Sequence, residues 1–319
     1  MLHGMPCNAA VAAPHNHVSD TPTTDRNAYD FRRGALWMLG SLAGFTGMAL
    51  LVMHLGSTRA VSPWWALLFR ALVGIVVVAV IYGPGNNVSF RRAATGRLLV
   101  SRGVLGALGT AAYYLTLPKL GAGKATLIGN TWTIWAAILA VPMLGEKMTS
   151  RKVVGLLLAI GGIALITELE RGDLSQFGRY EVIAVAGALI AACVVVVIRQ
   201  LTRTETSGTI FASQCLYSAL LALPFCLMER MPGLMDFALL TLAALLAAVG
   251  QLGMTEGFRF LPVSVGGAFQ MLLPLLITAM GCLLFAETFT LMQSLGAAFI
   301  LAGCYGVVSQ PKLPAKAGG

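Results

Sequence analysis

Ten apolar stretches, each close to the length of a bilayer-spanning helix, run from Gly34 to Ser309, and charged residues fall almost entirely in the gaps between them. The hydrocarbon core is about 30 Å thick and an α-helix rises about 1.5 Å per residue, so about 20 apolar residues cross it. This predicts an all-α integral membrane protein with ten transmembrane helices. The expected spans lie near 34–54, 62–82, 98–117, 122–142, 152–167, 181–198, 208–228, 237–257, 262–284 and 291–309. Only 11% of the residues are charged, against about a quarter in soluble domains, which argues against a water-soluble fold.

Residues 1–33 are polar, contain three histidines and no apolar run, and are expected to form a disordered cytoplasmic tail rather than a signal peptide. Five of the six cysteines lie inside or at the ends of apolar stretches without a CxxC or Cys/His spacing, so they read as small packing residues and not as disulfide or metal ligands. The net charge of +9 reflects topology, not nucleic-acid binding. Fourteen lysines and arginines fall in the tails and the even-numbered loops, six fall in the odd-numbered loops, and Arg70 and Arg102 lie within spans. The positive-inside rule therefore places both termini in the cytoplasm. Trp64 and Trp65, at the outer end of the second span, read as interface anchors.

The chain aligns with itself at a shift of 141, which pairs Glu146 with Glu287, Thr149 with Thr290, Gly155 with Gly296 and Gly162 with Gly303. Residues 34–167 and 181–309 then form two five-helix repeats joined by 168–180, with 310–319 as a cytoplasmic tail. Because five is odd, equivalent helices run in opposite directions, an arrangement suited to alternating access. Glu146 and Glu287 each precede a helix start, and Thr290 with Gln293 fits a capping box. A turn-forming role is the simpler account of both glutamates, with gating as the alternative.

These features resemble the drug/metabolite transporter superfamily of EamA type. The resemblance rests on Phe69-Arg70 in the second span, Leu144-Gly145-Glu146 before a Gly-rich fifth span, Ala286-Glu287, Gly296 and Gly303, and Pro274 within the ninth span. It implies a ten-span fold of two inverted repeats and the movement of small organic metabolites, often outward, through a cavity between the halves. Thr133 stands where the second half has Pro274, so a matching helix break in the fourth span is not expected.

Polar groups deep in the spans mark where a solute would bind, because a charge at membrane depth costs about 2.5–3.5 kcal/mol on insertion scales. Arg70 lies too deep for easy snorkelling. The resemblance places an arginine there across transporters of different substrates, which implies a structural bond to helix-end carbonyls. The functional alternative is a cationic contact with an anionic or zwitterionic solute. Arg102 is near the start of the third span, where snorkelling suffices, yet it shares a helix face with Gly106, Gly109 and Tyr113 that could line a cavity. In the fourth span Thr126, Asn130 and Thr133 share a face. The Asn130 amide has no place facing lipid, and either Trp132 or Trp135 could stack on a planar solute, with core packing the equal alternative for both. Gln251 and Thr255 share a face of the eighth span, with Glu256 at its cytoplasmic mouth beside Arg259. Gln270 and Pro274 point toward the same interior in the ninth span. Bonding between helices is the bland account of these amides and hydroxyls.

No cofactor is implied, and no HExxH or paired-aspartate signature supports an enzyme. The expected function is a secondary transporter in the inner or plasma membrane, moving an amino acid, nucleoside or vitamin-like metabolite, with an exporter as one reading and the direction of transport left open. An embedded enzyme or a receptor or structural membrane protein is the alternative. The expected partners are the solute and the bilayer, with a homo-oligomer left open.

Overall fold

The computed structural model describes residues 24–83, 88–144, 150–166, 178–201, 204–260, 269–286 and 288–308. Among the described residues there are twelve helices and no strand. They are α1 (Thr24–Ser57), α2 (Pro63–Tyr82), α3 (Phe90–Thr95), α4 (Arg97–Leu120), α5 (Ala122–Asn130) and α6 (Trp132–Leu144). They continue as α7 (Ser150–Ile166), α8 (Arg179–Leu201), α9 (Ser207–Met228), α10 (Leu234–Phe260), α11 (Leu272–Phe285) and α12 (Leu291–Val308). Phe31–Ser57, α2, α4, α9 and Leu234–Gly257 are each long and apolar enough to cross a bilayer.

Several boundaries differ from the sequence reading, two of them substantially. Helix α1 starts at Thr24, so the last part of the expected disordered tail is helical. The segment expected at 122–142 is interrupted at Thr131, which separates α5 from α6. The break needs no proline. Thr131 Oγ1 donates to the Ile128 carbonyl at 2.7 Å and Thr133 Oγ1 donates to the Asn130 carbonyl at 3.2 Å. Hydroxyls that bond nearby carbonyls compete with the helical ladder. In the second half a turn at Met271 likewise precedes α11.

Local chemistry sets the other ends. Pro63 takes the first turn of α2, where its missing N–H is no loss. Gly121 adopts a φ of 79°, which lets one residue turn the chain from α4 into α5. At α12 the expected capping box forms in full. The Thr290 N–H donates to Gln293 Oε1 at 3.1 Å and the Gln293 N–H donates to Thr290 Oγ1 at 3.2 Å. Thr290→Ala removes one side of this exchange and is expected to cost about 1 kcal/mol, read as a lower thermal midpoint of the detergent-solubilised protein. An unchanged midpoint would show that the cap adds nothing.

The main helix pairs are α1 with α10, α4 with α8, α2 with α9 and α7 with α12. Helices α4 with α9, α10 with α2, α6 with α8, α1 with α11 and α5 with α11 pack as well. Small residues permit these approaches. A Cβ on Gly44 would lie 2.7 Å from the Leu246 carbonyl oxygen, and one on Gly253 would lie 2.9 Å from that of Trp37. Leucine and valine side chains such as Val80, Leu157, Leu227 and Leu283 cover the perimeter, while Arg70, Arg102, Asn130, Gln214, Gln251 and Gln270 are buried. An apolar exterior around polar interior positions is the distribution that lipid as solvent demands.

Candidate functional site

Helices α2, α4, α9 and α10 hold two buried arginines, each bonded to a glutamine on the partner helix. Arg70 on α2 donates from Nη2 to Gln251 Oε1 on α10 at 3.3 Å. Arg102 on α4 donates from Nη2 to Gln214 Oε1 on α9 at 2.9 Å. Arg102 does not snorkel. It is 3% exposed, and its Nε and Nη1 are buried without a partner. Its guanidinium lies against bare backbone, because a Cβ on Gly106 would collide with Nη1. Arg70 bonds a side-chain amide rather than the helix-end carbonyls expected of it. The two guanidinium groups lie within electrostatic reach of each other, and Cys215 lies within reach of both.

Gln214 is the partner that sequence reasoning missed. A lone glutamine in a long apolar run offers no spacing pattern. The usable signal was its company, because Thr209, Ser213 and Ser218 are buried on the same helix. Its Nε2 donates to Thr110 Oγ1 at 3.0 Å and to the Gly106 carbonyl at 3.5 Å, which turns its oxygen toward Arg102.

A second polar group adjoins the first through Tyr113, which is within electrostatic reach of Arg70. Tyr113 and Thr126 share a 2.7 Å hydroxyl bond between α4 and α5. One turn beyond Thr126, Asn130 ends α5 with its side-chain Nδ2 buried and unpartnered, while its backbone carbonyl oxygen accepts from Cys304 Sγ at 3.7 Å. Trp132 opens α6 and is half-buried, and the buried Trp135 Nε1 has no partner.

Gln270 is buried against α1, donating to Ser41 Oγ at 3.4 Å and Met38 Sδ at 3.6 Å. Pro274 is buried in α11. Glu256 accepts from Tyr82 Oη at 3.5 Å, which links α10 to the end of α2. The side chain of Arg259, and Glu146 and Glu287 altogether, lie outside the described residues. Trp64 stacks on Phe225 at 4.1 Å and Trp65 Nε1 donates to the Arg230 carbonyl at 3.1 Å. A separate groove of about 430 Å³ between α1, α10 and α11 is lined by Leu50, His54, Leu246, Leu284 and Phe285. It is apolar and contains none of the buried amides or arginines.

The arrangement offers fixed hydrogen-bond donors and aromatic faces within an apolar bundle. It presents no nucleophile with a paired base. No cluster of three potential metal ligands occurs among the described residues.

Comparison with known proteins agrees with this picture. The chain is 21% identical over 271 residues to the pseudopaline exporter CntI of Pseudomonas aeruginosa strain UCBPP-PA14, covering 84% of this chain and 93% of that protein. The same figures hold for the pseudopaline exporter CntI of P. aeruginosa strain PAO1. A protein of known crystal structure superposes with a TM-score of 0.56 at 17% identity, over 86% of this chain and 96% of that one, a likeness of fold. The sequence pattern of the EamA-like transporter family matches twice, at residues 32–168 and at 179–309. These matches span most of the chain, which belongs to the EamA-like transporter family and is a multi-pass membrane transporter of small molecules.

Proposed function

We propose that the protein is a secondary transporter of the inner or plasma membrane, with ten spans in two inverted repeats, 34–167 and 181–309, and both termini in the cytoplasm. Its solute is a small amino acid, nucleoside or vitamin-like metabolite, bound between the halves and exposed to each side in turn. Outward movement is supported by the relatives named as exporters.

The helix pairing supports the duplication. Exchanging α1 with α8, α2 with α9, α4 with α10, α5 and α6 with α11, and α7 with α12 turns the pair α1–α10 into α8–α4. It turns α2–α10 into α9–α4 and α1–α11 into α8–α6, and it leaves α2–α9, α7–α12 and α5–α11 as they are. The double family match falls on the same two halves.

The observation that carries the site assignment is that Arg70–Gln251 and Arg102–Gln214 each join a first-half helix to a second-half helix. Rocking one half against the other would alter both bonds. Tyr113, Thr126, Asn130 and Trp132 extend the site on the first half, and Gln270 on the second. Pro274 relaxes the ninth span, Glu256 with Tyr82 closes the cytoplasmic mouth, and Glu146 and Glu287 shape their turns.

The test is a thermal-shift screen of the purified protein against a metabolite library, followed by counterflow of the hits in proteoliposomes. Ligand bound to the native state raises the unfolding temperature by mass action. A saturable hit that is transported, and whose transport falls about tenfold or more in Asn130→Ala, is the expected result, since an unpaired buried amide is placed to bond the solute. Normal expression and normal transport in Asn130→Ala would remove that residue from the site. Hits that bind without crossing the membrane would refute transport.

A further inference from the structure

We propose that the buried guanidinium groups of Arg70 and Arg102 together receive an anionic oxygen group, a carboxylate or phosphate, carried by the transported solute. The inference rests on the transporter reading and narrows its solutes to anions and zwitterions.

Two cations are buried together here without a described counter-charge. Among the described residues the ion pairs are Arg59–Asp236 and Arg92–Glu205, and neither involves these arginines. Each guanidinium is met by one neutral amide oxygen, on Gln251 or Gln214. Cys215, within electrostatic reach of both arginines, and Tyr113, within reach of Arg70, are ordinarily uncharged at neutral pH. A buried charge is normally paired, because leaving it unpaired away from water is strongly unfavourable.

The hydrogen-bond count leads to the same ligand. A guanidinium carries five N–H donors, and in Arg102 both Nε and Nη1 are buried without acceptors. Gln214 cannot supply a second acceptor group, since its Nε2 is committed to Thr110 and Gly106. Carboxylate and phosphate oxygens are acceptors that match guanidinium forks and carry the missing charge. The arginines stand on α2 and α4 and their glutamine partners on α10 and α9, so an anion bridging them would contact both halves of the bundle.

The test uses the full chain in neutral detergent, with unfolding followed by intrinsic fluorescence. The probes are pairs that differ in one charged group: N-acetylated amino acids against their primary amides, nucleoside monophosphates against nucleosides, and benzoate against benzamide. The expected result is a saturable rise in unfolding temperature with at least one anionic member, absent with its neutral partner. Arg102→Gln should weaken that response about tenfold or more, the scale of a lost charged hydrogen bond. Gln214→Glu guards against misfolding of the first variant. It places a carboxylate at the Arg102 acceptor position, and it should fold and lose the anion response. The proposal is overturned if neutral members act as their anionic partners do, if both variants keep the full response, or if no anionic probe shifts the wild type.

Binding of neutral probes that is lost in Asn130→Ala would sink the anion assignment and leave the transporter reading standing. Absence of transport for every bound probe would sink both. Repeating the measurement in phosphatidylcholine nanodiscs with and without phosphatidylglycerol separates solute from lipid. Arg102-dependent stabilisation by phosphatidylglycerol alone would assign the anion to a headgroup and overturn the solute role.

Discussion

Gly162→Ala and Gly303→Ala are each expected to destabilise the bundle by about 1–3 kcal/mol, and the corresponding leucine variants to prevent stable packing of α7 on α12. The contacts are reciprocal. A Cβ on Gly162 would lie 2.6 Å from the Gly296 carbonyl oxygen and 3.0 Å from the Ile300 backbone nitrogen. A Cβ on Gly303 would lie 2.7 Å from the Gly155 carbonyl oxygen. Backbone atoms cannot rotate out of the way, so relief requires the helices to separate, and dispersion contacts along the seam are lost. In lipid that packing is the main attraction between helices, since tails solvate leucine as well as protein does. Gly161 and Gly306 on the same two helices have no atom within 4 Å of an added Cβ. Gly161→Ala and Gly306→Ala should therefore be neutral or slightly stabilising, as alanine favours a helix over glycine by about 1 kcal/mol at most. The readout is the thermal midpoint of each solubilised variant by fluorescence-detected size exclusion. If Gly161→Ala lowers the midpoint as much as Gly162→Ala, close approach is not what holds the pair.

Those four glycines also show what a sequence can reveal about this architecture. The shift of 141 pairs Gly155 with Gly296 and Gly162 with Gly303, and the contacts then join Gly162 to Gly296 and Gly303 to Gly155. A duplicated motif became a duplicated contact. The Thr290–Gln293 cap was equally legible, because both partners lie within one helical turn. The break at Thr131 was not, since it lacks a proline and is made by hydroxyl-to-carbonyl bonds whose geometry no residue type guarantees. The snorkelling account of Arg102 failed for a related reason. Distance from a helix end measures how far a side chain must reach for water, and it does not register what packs beside it. The partner, Gln214, is 112 residues away in the chain.

Gln214→Leu is expected to cost about 1.5–3 kcal/mol, the worth of a hydrogen bond to a charged group. The substitution preserves bulk but takes away the one acceptor that Arg102 has among the described residues. Nothing else at the site is orphaned by the change, because Thr110 Oγ1 keeps its own 2.8 Å bond to the Gly106 carbonyl. The loss is therefore specific to the guanidinium, which is left buried, charged and without any bond. Removing the charge as well should reverse it. Arg102→Met with Gln214→Leu replaces the pair by apolar side chains, and such exchanges are often neutral or stabilising in a dry interior. The double variant should unfold at a higher temperature than Gln214→Leu alone, with a coupling of about 1–3 kcal/mol between the two positions. Transport separates stability from function, since a stable double variant has lost the donors proposed to receive the solute and should carry none. Additive losses at the two positions would mean that Arg102 and Gln214 do not form a unit. Full transport by the double variant would remove the pair from the solute path.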